Sequence, residues 1–440
     1  MVLLALMAWV YFTDVRGREE RQQAVQDAKK ALVIDEEAIS EIRIIYPDHR
    51  IVGLRAETGW EIIDPVGIEA DSGEWDLLAS NIPRIERNET LTSQSSDLRQ
   101  YGLVDPALRV AVTMSDGAMH EVLFGDENPR KIYNYAKLDS SEEVFLAPSS
   151  WLQIFQKEVN ELRDRTILRF QQDDINLINI MSGENSLRLR RAEEEWALEA
   201  PIQAAADQGE ISTFLGLIDF ARATDFVDKG TDIATTGLDD RVIRIGLYDQ
   251  ANDQDHVLLI GTEKKDDANH YFVKDESRET IFVVDSGIFE KVTRPIFDWR
   301  DKTIASFDRN DVLSILLRKR DDRLVLRQSG DDWLLPDGKR AKVERVSSML
   351  NVLEFQRATQ IIDLPGALDR YGLREPELRV TFSGDGGDIL TFAFGADVDD
   401  GDSIYWKLEE GSVVKVVSKD VFDRFNMTTE ELVAETEEPK

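Results

Sequence analysis

Alternating apolar and polar positions mark strands along most of the chain. SEIRIIYPDHRIVGLR, INLINIMSGENSLRLRR and VLSILLRKRDDRLVLRQ each read as two strands joined by a turn, with one face buried. A tryptophan strand follows each pair, in GWEIIDP, EWALEAP and DWLLPDG, and ends at Pro65, Pro201 or Pro336. The period then lengthens to that of a helix. Ile211, Phe214, Leu215 and Ile218 form one helical stripe, and Trp75, Leu78, Ile82 and Ile85, or Val343, Val346, Leu350 and Leu353, form the matching ones. Asp71 with Glu74, and Asp207 with Glu210, have the spacing of an N-cap and its reciprocal carboxylate; Lys342 takes that place in the third stretch. Next, SSDLRQYGL and PGALDRYGL predict a short helical turn stopped by glycine. Gly102 and Gly372 take the left-handed position, Leu103 and Leu373 fold back onto the turn, and Pro106 and Pro376 keep the helix from resuming. Tyr101 and Tyr371 are expected to pack inward. Further strands (LRVAVTM or LRVTFSG, HEVLFG, IYNYAKL, EEVFLAP) precede a last amphipathic helix with Trp151, Ile154, Phe155 and Val159.

These patterns are one unit read three times. YGLVDPALRV at 101–110 returns as YGLREPELRV at 371–380, identical at seven of ten positions. Gly102, Gly237 and Gly372 are spaced by 135 and 135 residues, Trp60, Trp196 and Trp333 by 136 and 137, and Gly125, Gly261 and Gly395 by 136 and 134. Three independent landmarks on one period establish three copies. Thr236 and Arg241 replace the tyrosine and proline in the middle copy, so the phrase reads as structure rather than shared catalytic machinery. RDRTI (163–167) and RDKTI (300–304) end the first two copies, and FNMTTEEL ends the third without such a motif. The motif occurs where another copy follows, which makes Arg163, Asp164, Arg300 and Asp301 candidate junction residues.

The expected fold is α+β: three tandem repeats of about 135 residues, each a mainly antiparallel sheet with two helices, strung in a row behind an N-terminal membrane helix. The boundaries are a truncated transmembrane anchor at 1–13, a polar helical stalk at 14–35, repeats at 36–168, 169–305 and 306–430, and an acidic tail at 431–440. The anchor reading rests on VLLALMAWVYF, residues 2–12. This apolar run is shorter than the about 20 residues a bilayer needs, and no basic n-region or cleavage site accompanies it. Trp9, Tyr11 and Phe12 would sit at the membrane interface.

Composition narrows the function classes. The 440 residues are 42% hydrophobic, enough for globular cores, and 86 acidic against 53 basic residues give a net charge of −33, which repels nucleic-acid backbones. There is no cysteine, so disulfides, thiolate nucleophiles and Cys-based metal sites are excluded. His49, His120, His256 and His270 fall in no metal spacing, with His49 and His120 in expected turns. No nucleophile elbow, Walker loop or dinucleotide fingerprint is present, so no cofactor and no catalytic residue is predicted. GADVDDGDS (395–403) fails the calcium-loop pattern, because Gly401 and Leu408 fall where oxygen ligands belong. Tyr133 and Tyr135, Tyr271 and Phe272, and Tyr405 and Trp406 recur in phase; they read as core or sheet-face residues, with a groove for a ligand as the alternative.

The order Trp-x-(Leu/Ile)-x-x-Pro, Ala-Asp before a helix (Ala70-Asp71, Ala206-Asp207), YGL-x-x-P, a strand ending in glycine, and RD(K/R)TI resembles the bacterial domain of unknown function numbered 4340. The resemblance covers the chain after the anchor. It implies one N-terminal transmembrane helix, repeats facing the periplasm or cell exterior, and ABC-transporter permease and ATPase subunits of the gliding-motility type as partners. The resulting expectation is a non-enzymatic accessory or scaffold protein of the inner membrane, with an envelope ligand- or polymer-binding module as the alternative.

Overall fold

A computed structural model describes residues 29–91, 97–183, 185–227, 233–239, 242–320 and 322–434. The expected anchor and most of the stalk and acidic tail lie outside the described residues. Among the described residues, no helix is long and apolar enough to cross a membrane.

Strands dominate, in three sheets. The first contains β1 (Ile39–Ile45), β2 (Arg50–Ala56), β3 (Gly59–Asp64), β4 (Ile68–Glu69), β5 (Glu89–Leu91), β6 (Leu108–Met114), β7 (Met119–Glu127), β8 (Tyr133–Leu138) and β9 (Val144–Pro148), in spatial order 4-3-2-1-6-7-8-9-5. The second repeats that order with β10 (Ile175–Ser182), β11 (Asn185–Ala192), β12 (Glu195–Ala200), β13 (Ala204–Ala205), β14 (Asp225–Phe226), β15 (Ile243–Asp249), β16 (Gln254–Glu263), β17 (His270–Asp275) and β18 (Ile281–Asp285). The third has β19 (Ser314–Lys319), β20 (Arg323–Ser329), β21 (Asp332–Leu334), β22 (Gln360–Ile362), β23 (Leu378–Gly384), β24 (Gly387–Asp397), β25 (Ser403–Leu408) and β26 (Val414–Ser418), in order 21-20-19-23-24-25-26-22. Pairing is antiparallel throughout the first and third sheets.

By contacts the chain falls into two compact units. One comprises Met1–Ile167, Ala221–Asp232 and Thr280–Val284; the other comprises Leu168–Phe220, Ile233–Glu279 and Asp285–Lys440. In each sheet alternate residues face a helical layer. In the first, Ile42, Ile44, Val110, Val112, Val122 and Phe124 are buried with α1 (Ser72–Asn81), which contributes Trp75, Leu78 and Ala79. In the third, Ile315, Leu317, Leu326, Val380, Phe382, Phe392 and Phe394 form one core with Val346, Met349, Leu350 and Leu353.

Four expectations change. The last helix of the first copy is two pieces, α2 (Ser149–Phe155) and α3 (Val159–Leu162), broken at residues 156–158. α4 (Gln208–Phe220) starts as expected, but only half of the capping box forms. Asp71 accepts from Gly73 N (3.0 Å) and Glu74 N (3.3 Å), and Asp207 from Gly209 N and Glu210 N (both 3.1 Å), while Glu74 and Glu210 turn to Lys157 and Lys291. His120 lies in β7 rather than in a turn. Finally, residues 29–35 are not helical. Lys30 forms a β-bridge with Glu86, and Ala31 and Leu32 are 4% and 6% exposed in the first core. Two apolar side chains drawn into a core outweigh the helical tendency of a polar stalk.

Candidate functional site

The landmark glycines answer to close backbone approach. Gly102, Gly237 and Gly372 have φ of 65°, 66° and 65°, the left-handed stop. Leu103 N reaches back to Leu98 O (3.1 Å), and Leu373 N to Leu368 O (3.1 Å), closing the turns. The strand glycines are their partners. A Cβ on Gly125, Gly261 or Gly395 would lie 2.1, 2.1 or 2.0 Å from the carbonyl oxygen of Tyr101, Thr236 or Tyr371. Each copy therefore presses its turn onto the sheet at a point where only glycine fits. Tyr101 and Tyr371 are half-buried rather than inside the main core. They pack on the sheet face away from the helices, against Tyr135 (4.8 Å) and Tyr405 (4.9 Å). Pro106 and Pro376 follow in the bend before β6 and β23. Trp60, Trp196 and Trp333 are buried, at 5%, 7% and 7% exposure.

The RD segments follow one backbone path. Arg163 bridges Ala70 and Arg300 bridges Ala206. Asp164 accepts from Thr166 N (2.9 Å), and Asp301 from Thr303 N (2.8 Å). Thr166 then bridges Arg222, and Thr303 bridges Arg357. Arg163 lies 3.5 Å over the Phe226 ring and donates to Asn160 (3.2 Å). Arg300 makes two parallel hydrogen bonds to Asp363 (2.9 and 2.7 Å) with its own side chain 9% exposed. Lys415 donates to Thr303 O (2.5 Å), and burial holds its ammonium below the usual lysine range, with Asp301 opposing that shift.

Two features of these joints escaped the sequence reading. In the third copy, Val433 bridges Ala341, so Leu432–Val433–Ala434 keeps the backbone pairing with no Arg-Asp pair. At the other end, Lys29 O accepts from Arg87 N (2.6 Å) as Arg165 O does from Ala223 N (2.8 Å) and Lys302 O from Ala358 N (2.7 Å). Every copy is thus entered by an equivalent segment. The signal was the basic-x-apolar run of KKAL, RTIL and KTIA at the repeat spacing.

The aromatic candidates do not share one open face. Tyr133, Tyr135 and Tyr405 lie on the face away from the helices, Tyr271 stacks on Phe289 at 4.2 Å, Phe272 is partly buried, and Trp406 is 1% exposed in the third core. A hollow of ≈ 620 Å³ surrounds the first hairpin turn, where Tyr46 and His49 stack at 4.4 Å beside Asp48, Arg50, Asp64 and Glu158. Tyr46 donates to Lys157 O (2.8 Å), and burial with the nearby Glu158 charge pushes its hydroxyl up to about 12. That phenol is a fixed hydrogen-bond donor, not a base at neutral pH. Among the described residues, no group of three or more His, Asp or Glu side chains is placed to hold a metal ion. The 395–403 stretch is a hairpin turn in which Asp400 accepts from Asp402 N and Ser403 N.

One family matches the chain, by the description "Domain of unknown function (DUF4340)", over residues 60–241, 233–364 and 340–437. The chain belongs to this family. No curated protein and no solved structure matches it.

Proposed function

We propose that this member of the DUF4340 family is a non-enzymatic accessory or scaffold protein of the bacterial cell envelope. It is held in the inner membrane by the apolar run at its N-terminus, carries its repeats in the periplasm or at the cell exterior, and works with the permease and ATPase subunits of an ABC transporter. One observation carries the reading: what recurs is framework. The tryptophans fill cores, the glycine pairs permit backbone approach, and the RD segments fix the path from one copy to the next. The residues between them differ from copy to copy. A chain that keeps a framework three times and varies its surfaces suits presenting several surfaces to partners better than building one reaction centre.

The test is a pull-down of the C-terminally tagged full chain from native membranes in mild detergent, read by mass spectrometry. Co-purifying permease and ATPase subunits are expected. Recovery of the protein alone from the membrane fraction would reject the transporter partnership, and recovery from the soluble fraction would reject the anchor.

A further inference from the structure

The third sheet leaves part of one face bare. Its helices α5 (Val343–Phe355) and α6 (Lys419–Phe425) contribute Val346, Leu350, Val421 and Phe425 to the core on the side of Ile315, Leu326 and Phe382. On the opposite side, the end near β24–β26 is covered by Leu368, Tyr371 and Leu373. The remainder, over β20, β19 and β23, is an open hollow of ≈ 640 Å³. Register places Arg323 opposite Arg318, and Arg318 opposite Arg379. Three arginines therefore stand in a row on adjacent strands about 5 Å apart, an arrangement that like charges oppose. Arg327 lines the same hollow four residues beyond Arg323 in β20.

The other copies pair arginines of this second strand with carboxylates of the third. Asp64 of β3 accepts from Arg50 (2.5 Å), and Glu199 of β12 pairs with both Arg188 (2.9 Å) and Arg190 (2.6 Å). In the third copy β21 ends at Leu334, opposite Arg327, and brings no carboxylate to these positions. Among the described residues, the guanidinium groups of Arg318, Arg323 and Arg327 have no ion pair or hydrogen bond, although Arg323 N donates to Asp322 Oδ1 (2.8 Å). Two carboxylates enter the hollow, and both are engaged: Glu409 with Arg379 (2.7 Å) and Asp388 with the Ser383 hydroxyl (2.8 Å). Ser314, Thr381 and Thr391 add hydroxyls to the lining. The protein's negative charge is screened over about 8 Å at physiological salt, so the local arginines set the field here.

We infer that the Arg318–Arg323–Arg327–Arg379 face binds a small soluble ligand bearing two or more phosphate groups. Guanidinium forks match phosphate oxygens in pairs, hydroxyls supply further donors, and one phosphate group cannot span the row and also reach Arg327. The volume suits a small ligand. This site is independent of the scaffold role and stands or falls without it.

The experiment is calorimetric titration of the detergent-solubilised full chain with sodium tripolyphosphate. Saturable one-to-one binding is expected, weakening as salt rises and falling about tenfold or more in Arg318→Gln and in Arg323→Gln. Arg188→Gln, which removes a paired arginine of the second sheet, is expected to leave binding unchanged. Both third-sheet variants should keep or slightly raise the melting temperature, because a like-charge contact is removed. No saturable binding, an equal loss in Arg188→Gln, or no loss in Arg318→Gln and Arg323→Gln would overturn the inference. So would binding to anionic phospholipid vesicles without binding to tripolyphosphate.

Discussion

The first and second copies fill the same place in their cores with indole from different elements. In the first, Trp75 comes from the helix, the fifth residue counting Asp71 as the first, and its ring lies so close to β2 that a Cβ on Gly53 would be 2.3 Å from it. Its N–H donates to Leu162 O (3.1 Å). In the second, the corresponding helix position is Ile211 and the corresponding strand position is Leu189, opposite Ile178 as Gly53 is opposite Ile42. The indole arrives instead as Trp299, at the place of Leu162, and meets Phe214 edge-on at 5.1 Å. The third copy uses neither: Val346, Leu326 and Leu432 take the three positions, and Phe382, Phe392, Phe394 and Phe425 pack the core. The comparison teaches that the fold requires a filled volume and a strand register, and is indifferent to which element supplies the ring.

That reading is broken most directly at Trp299, which is 1% exposed. Trp299→Ala should cost about 4 kcal/mol, because it removes the ring and leaves a cavity. Hydrogen exchange of the α4 amides is the suitable measurement, since a chain of several units need not unfold in one step. Unchanged protection there would mean that the indole does not hold this core together.

Next in size is Gly53→Leu, which forces a side chain into the space of Trp75 and should cost about 3 kcal/mol. Adding Trp75→Ile rebuilds the pairing of the second copy and should return stability to within about 1.5 kcal/mol of wild type. The double-mutant cycle in urea, followed by exchange of the first-copy amides, isolates the coupling. Additive losses would show that the two positions do not exchange volume.

A smaller effect separates the helix starts. Asp71→Ala should weaken the first helix by about 1 kcal/mol, and Lys342→Asp should strengthen the third by a similar amount. Lys342 already has the extended backbone of a cap, with φ −64° and ψ 113°, and offers no side-chain acceptor. Helix-amide exchange in the two variants checks both signs.

The repeat, the glycine stops and the three helical stripes were legible because they depend on local pattern. Trp75, Phe214 and Leu350 sit where a 3.6-residue period puts them. The exchange of Gly53 for Leu189 was not legible, since it needs the register between a strand and a helix some twenty residues later. The aromatic pairs read as core or sheet-face residues, and the strand pleat decides which each one is. Tyr405 and Trp406 are adjacent in sequence and so point to opposite faces of one strand. The arginine row of the third sheet was invisible for both reasons: Arg318, Arg323 and Arg379 meet only through pairing, and their bareness depends on where β21 stops.

The smallest expected effect is electrostatic and lies beside Trp299. Lys291 is 6% exposed, with its ammonium 5.3 Å from the Trp299 ring and bonded to Glu210. That hydrogen bond, with the attraction of the same lysine, holds the Glu210 carboxyl below the usual glutamate range against the opposing effect of burial. A carboxyl whose folded pKa is depressed adds stability above its unfolded pKa of about 4.3 and loses it as pH falls through the folded value. In the first copy, Lys157 stands 3.6 Å from Glu74 and also 3.5 Å from Glu161, a looser and shared contact. Acid should therefore loosen α4 through Glu210, and Glu210→Gln should remove that part of the pH dependence, whereas Glu74→Gln should change the first copy less. With the Glu210 side chain 35% exposed, water screens the pair and keeps the effect small. Helix-amide exchange between pH 6 and the onset of acid unfolding would decide it: equal pH dependence in wild type and Glu210→Gln would place the stabilising role of Lys291 in its packing on Trp299 rather than in its charge.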